Sequence, residues 1–170
     1  MKNFEVAKRC IASTLSLGLI LATVPMVGAT QPVRGTLKVA GQAWVSADSS
    51  QWSELASTRP FLAGDRLRTG DTGHLLADMG SDGTIGLFSN AEVSANADSI
   101  DVASGKVAFH IADGAPLQLA AAGASISGAG DAHGIVEVLG SSASVTSERG
   151  TLVVNIAGTD RRIEAGQRIR

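Results

Sequence analysis

Residues 105–111 read Gly-Lys-Val-Ala-Phe-His-Ile. Val107, Phe109 and Ile111 fall at every second position, with Lys106 and His110 between them. A period of two belongs to an extended chain, whose side chains leave alternately to opposite faces. The stretch therefore predicts a half-buried strand with Val107, Phe109 and Ile111 inward and His110 on the polar face. Thr151–Ile156 repeats the pattern, with Leu152, Val154 and Ile156 predicted inward.

Working outward, no window of a dozen residues after residue 30 keeps the three-and-four apolar spacing of a helix. Further short strands are expected at Gly35–Val39, Ala43–Ser46, Arg66–Thr69, Gly73–Met79, Thr84–Phe88, Ser99–Val102, Pro116–Leu119, Ala124–Ser127, Ile135–Leu139, Ala143–Thr146 and Arg162–Glu164. Turn pairs separate them: Asp82-Gly83, Ser89-Asn90, Ser104-Gly105, Asp113-Gly114, Arg149-Gly150 and Gly158-Thr159-Asp160. Such pairs tolerate the positive φ of tight turns. Gln51–Ala56 reads as one helical turn or a plain connection. Many short strands at this spacing predict an all-β fold, an antiparallel sandwich or β-roll.

The first 29 residues read as an N-terminal signal peptide. Lys2, Lys8 and Arg9 precede the apolar run Ile11–Val27, and Val27-Gly28-Ala29 places small residues before a cleavage point at Thr30. The expected organisation is a cleaved signal, 1–29, and a single β domain, 30–170. The expected location is periplasmic or secreted. If the segment is retained, it becomes an inner-membrane tether facing the periplasm, and only then is the membrane a partner. Cys10, the only cysteine, lies within the signal. The exported domain thus has no thiol chemistry and no cysteine metal site.

Losing Lys2, Lys8, Arg9 and Glu5 with the signal takes the formal charge from −2 to −4. A mildly acidic domain does not suit nucleic acid, whose phosphates demand a basic patch. The Arg161–Arg170 cluster is offset by Asp160 and Glu164 and reads as a solvated face. Trp44 and Trp52 are expected to pack in the core.

Chemistry-bearing patterns are sparse. In Ala63–Leu75 (AGDRLRTGDTGHL), Asp65 is expected to bond nearby backbone N–H groups in a turn rather than to pair with Asp71. Asp78–Gly83 lacks the spacing and the distal Glu of a calcium loop and reads as a hairpin tip. Gly123–Gly134 (GASISGAGDAHG) has no following helix to cradle a phosphate. His74, His110 and His133 fall in three separate segments without local ligand spacing, and His110 is expected at the surface. No Gly-x-Ser-x-Gly elbow occurs. The expectation is a protein that is not an enzyme, with no catalytic or metal site and no cofactor.

The order of short motifs carries a resemblance. Gly41-x-Ala43-Trp44-Val45 and Trp52-x-x-Leu55 are followed by Leu62-x-Gly64-Asp65-x-Leu67-x-Thr69-Gly70. Asp82-Gly83-Thr84-Ile85-x-Leu87 and Ser89-Asn90-Ala91-x-Val93 come next. Gly105-x-Val107-x-Phe109, Gly134–Val138 and Ile163-x-Ala165-Gly166-Gln167 complete the series. Over residues 35–170 this resembles the extracytoplasmic domain of FecR family proteins. The resemblance implies an all-β domain facing the periplasm, with Gly64, Asp65, Thr69, Gly70, Asp82, Gly83, Ala165, Gly166 and Gln167 as its structural motif. It also implies binding, in extracytoplasmic sensing or regulation, with an envelope protein or extracellular polymer as partner. The chain departs from family members that grip a sigma factor, because only about ten residues precede the apolar run. Ser127-Gly128-Ala129-Gly130-Asp131 also stands where the family often has Arg-Gly-Thr. The alternative expectation is a structural component of the envelope or matrix that self-associates through its sheet edges.

Overall fold

The computed structural model describes residues 32–47 and 51–170; the expected signal peptide, its cleavage point and the tether reading lie outside them. The described chain is all-β, as the alternation predicts. Its strands are β1 (Val33–Ala40), β2 (Ala43–Ser46), β3 (Ser53–Glu54), β4 (Arg59–Leu62), β5 (Arg66–Thr69), β6 (His74–Asp78), β7 (Gly83–Leu87), β8 (Glu92–Ala95) and β9 (Ser99–Ile111). Then follow β10 (Gln118–Ala121), β11 (Ala124–Gly128), β12 (Ala132–Leu139), β13 (Ser142–Arg149), β14 (Leu152–Ile156), β15 (Thr159–Ile163) and β16 (Arg168–Ile169). A single 3₁₀ turn, Gly80–Asp82, forms the expected hairpin tip between β6 and β7.

Two sheets share β9. Sheet I runs β4-β1-β6-β7-β9-β12-β13-β16, and sheet II runs β3-β2-β5-β8-β9-β10-β11-β14-β15. Every pairing is antiparallel except β9 with β10. The first half of β9 pairs in sheet II, and its second half, from Gly105 on, pairs in sheet I. Ser104-Gly105 is therefore not the turn its composition suggests. Gly105 takes φ +82° inside one 13-residue strand and passes the strand from one sheet to the other. A Cβ there would lie 2.6 Å from the Ala91 Cα, so the backbones approach too closely for any side chain.

One core fills the space between the sheets. Leu37, Ile85, Val107, Phe109 and Ile111 come from sheet I, and Leu67, Val93, Ile100, Leu119 and Val154 from sheet II. Each large side chain so buried contributes about 1.5–3 kcal/mol. Val107, Phe109 and Ile111 are inward and Lys106 and His110 outward, as the period of two requires. Leu152 and Val154 are buried, but Ile156 is 38% exposed, because it ends its strand beyond the core.

Gln51–Ala56 is no helical turn: Ser53 and Glu54 pair with Val45 and Trp44 at the rim of sheet II. Nor do Trp44 and Trp52 enter the core. Both are half-buried outside it, with the Arg68 guanidinium 4.9 Å from the Trp44 ring and 4.4 Å from the Trp52 ring. Arg66 lies 5.3 Å from Trp52 and also pairs with Glu92. The core is instead built from aliphatic side chains and Phe61 and Phe109.

Candidate functional site

Register fixes what the outer face of sheet I displays. Cross-strand partners form rows across it. One row runs Lys38, Leu76, Gly86, Ala108, Ile135. A second runs Thr36, Asp78, Thr84, His110, His133. The small residues Gly86 and Ala108 leave the middle of the first row low. Two adjoining hollows result, of about 360 Å³ and 240 Å³, which share Leu76, Gly86 and Ala108. At one end His74 meets Phe88 edge-on at 6.0 Å, and Lys106 lies over the same phenyl ring at 5.0 Å. Leu76 and Phe88 are exposed there, at 39% and 37%.

His110 and His133 occupy the other end. They are direct cross-strand partners on β9 and β12, and their rings stack 4.3 Å apart at 13°. Asp131, just before β12, presents its carboxylate to both. Its Oδ1 lies 2.6 Å from His110 Nε2, and its Oδ2 lies 3.9 Å from His133 Nε2. The hydrogen bond to His110 is the main cause that holds the Asp131 carboxyl below its ordinary value. The charges of His110, His133 and Arg149 act in the same direction, against partial desolvation.

Local chain geometry sets this end. Gly150 turns with φ +74°, and a Cβ on it would lie 2.2 Å from the Asp131 carbonyl oxygen. That close approach docks the β13–β14 turn against the backbone that carries Asp131. The β12–β13 ladder pairs His133 with Arg149 but Gly134 with Ser147, so Glu148 is an extra residue in a β-bulge. Bulges re-aim side chains, and Glu148 joins His110 and His133 in lining the smaller hollow. Among the described residues no hydroxyl hydrogen-bonds to His110. The groups that do converge suit holding a proton or a cation.

The motif residues lie elsewhere in the fold. Asp65 is fully buried; its carboxylate accepts hydrogen bonds from the Leu62 N–H at 2.9 Å and from Arg59 Nη2 at 2.9 and 3.2 Å. Bonding to nearby backbone was expected; the Arg59 partner was not. Asp71 is exposed in the turn between β5 and β6. Gly64 donates to the Ala95 carbonyl and Gly70 to the Gln42 carbonyl. Thr69 Oγ1 donates to the Phe88 carbonyl and accepts from the Ala91 N–H. Asp82 closes the hairpin tip on Met79, and Gly83 starts β7 opposite Ile111. Ala165 leads into the turn where Gly166 donates to Ser147 and the Gln167 side chain accepts from the Glu164 N–H. None of these nine residues belongs to the histidine cluster.

A further hollow, about 590 Å³, lies where the ends of the two sheets meet. Leu139, Ile156 and Arg170 line it, together with Arg168, which is bonded to Ser144 and Glu137.

No protein-family model matches the chain, and no curated protein matches it. No helix among the described residues is long and apolar enough to cross a membrane.

Proposed function

We propose that this chain is an exported, non-catalytic β domain of FecR-like type that works by binding an envelope protein in extracytoplasmic sensing or regulation. The observation that carries this reading is the low pair Gly86–Ala108 on the outer face of sheet I, flanked by exposed Leu76 and Phe88. Shallow apolar relief with a charged rim suits a protein surface. An extracellular polymer is the weaker partner. Sugar rings stack on free aromatic faces, and Trp44 and Trp52 already carry Arg68 and Arg66.

Self-association through sheet edges is also disfavoured by what the edges contain. The edge strand β4 carries Pro60, which cannot donate to a new ladder. The edge strand β15 exposes Asp160, Arg161 and Arg162, and β3 and β16 have two residues each. Short, charged or proline-bearing edges are how sheets avoid pairing with copies of themselves.

The test is a photo-reactive residue at position 76, with one at Glu164 as control. A discrete envelope protein captured from position 76 alone is purified and titrated against the domain. Leu76→Asp then weakens that binding by about tenfold or more, the worth of one apolar side chain. Equal capture from both positions, or capture of the chain's own copies only, overturns the reading.

A further inference from the structure

The cluster at the end of β9 and β12 joins two imidazoles and one carboxylate whose ligand atoms all lie within 4.8 Å of one another. We propose that His110, Asp131 and His133 form a binding site for a borderline divalent transition-metal ion of the zinc class. This inference does not rest on the proposed protein-binding role, although His110 and His133 lie on the same face of sheet I.

The donor set selects the ion. Imidazole nitrogen and carboxylate oxygen suit zinc-class ions. The described residues contain no cysteine, so soft thiolate-seeking ions have no claim here. The spacing fits as well. Tetrahedral bonds of 2.0–2.1 Å place neighbouring ligand atoms about 3.3 Å apart. The two carboxylate-to-imidazole distances, 2.6 and 3.9 Å, bracket that value. All three ligand atoms lie within 4.8 Å of one another, a spread that side-chain rotation about the carboxylate and the two rings can close. All three side chains retain contact with solvent, so an ion has a path in.

The ladder supplies preorganisation. His110 and His133 are held side by side by strand pairing; their rings stack in the ion-free structure and turn about their side-chain bonds to converge on one ion. Both imidazoles present Nε2 to the same carboxylate. A simple ion pair uses only one of them. At 3.9 Å, His133 Nε2 is beyond hydrogen-bond reach of Asp131, and a stacked pair of imidazolium ions repels. An ion between the three groups engages both rings as neutral ligands. The bulge sets Glu148 in the lining of the same hollow.

The experiment uses protein purified after expression of the full chain, stripped with a chelator and titrated with zinc chloride at neutral pH. Calorimetry reads stoichiometry, and NMR of the imidazole resonances reads location. The expected result is one zinc per chain, with the ring signals of His110 and His133 moving and those of His74 stationary. His110→Gln, His133→Gln and Asp131→Asn each weaken binding by about tenfold or more, while His74→Gln leaves it unchanged. Affinity falls as the solution is acidified, because protons compete for imidazole. Absence of saturable binding up to about 1 mM zinc, which is too weak for a built site, overturns the proposal. So does binding that both histidine variants leave intact. If a variant fails to fold, the resonance shifts of the unaltered protein decide alone: movement confined to His74, or of no histidine, overturns it.

Discussion

Arg59 and Asp65 form an ion pair in which the carboxylate is fully buried and the guanidinium remains partly in water. The pair spans the β4–β5 turn, and the Leu62 N–H within that turn donates to the same carboxylate. Arg59→Ala strands a buried charge and is expected to cost about 3 kcal/mol, the low end for breaking such a pair because Asp65 keeps one donor. Asp65→Ala costs less, about 1–3 kcal/mol, since Arg59 recovers water and only the Leu62 N–H is orphaned. The double variant is expected to lose less than the sum of the two. Urea unfolding of all four proteins measures this; strict additivity sinks the argument.

The crossing of β9 between sheets makes a sharper stability prediction. Gly105→Ala combines a left-handed φ with contacts of 2.6 Å to the Ala91 Cα and the Asn90 carbonyl oxygen. It is expected to cost about 2 kcal/mol or more. Gly114 has a similar φ of +70° but nothing within 4 Å of a Cβ. Gly114→Ala carries only the conformational term, about 1 kcal/mol. Thermal denaturation of the two variants separates crowding from backbone strain.

The Trp44–Arg68–Trp52 stack contributes to sheet II from its exposed side. Each cation–π contact is worth about 0.5–1 kcal/mol at such a site, so Arg68→Ala is expected to destabilise by about 1–2 kcal/mol. Trp44 and Trp52 are the only tryptophans, so their fluorescence reports the loss directly. An unchanged emission spectrum together with unchanged stability contradicts the stack.

How much of this was legible in the sequence depended on range. Alternation is local, so it placed Phe109 inward and His110 outward, and it located β2 and β5 to the residue. The turn residues around Asp82-Gly83 and Gly158 were legible for the same reason. Gly105 misled because glycine marks any unusual φ, whether the chain reverses or only bends between sheets. The two-residue strands β3 and β16 are too short to show a pattern, while β4 carries Pro60 and β8 offers only one large apolar residue, Val93. The histidine cluster was hidden because it depends on β9 pairing with β12, with β10 and β11 lying between them in sequence. One local trace existed: Asp131-x-His133 puts a carboxylate and an imidazole two residues apart, on one side of an extended chain. Nothing local shows that Glu148 sits in a bulge, because a bulge is a property of two strands together.

Asp131 carries the last prediction. Its carboxyl is held low mainly by the hydrogen bond to His110, with the positive charges of His110, His133 and Arg149 assisting and Glu148 on the rim of the same hollow. A carboxylate whose folded pKa lies below its unfolded value, about 3.9 for Asp, adds stability that is complete above that unfolded value. The contribution disappears as the pH falls through the lower folded value. The window is therefore acidic, and the group adds no pH dependence near neutrality. Carbon-detected NMR of the Asp131 carboxyl, with chelator present to exclude metal, is expected to titrate below the ordinary Asp range. In His110→Gln the midpoint moves up towards that range, because the largest cause has been removed. A midpoint that His110→Gln leaves in place shows that Arg149 and His133, rather than the hydrogen bond, hold the carboxylate ionised.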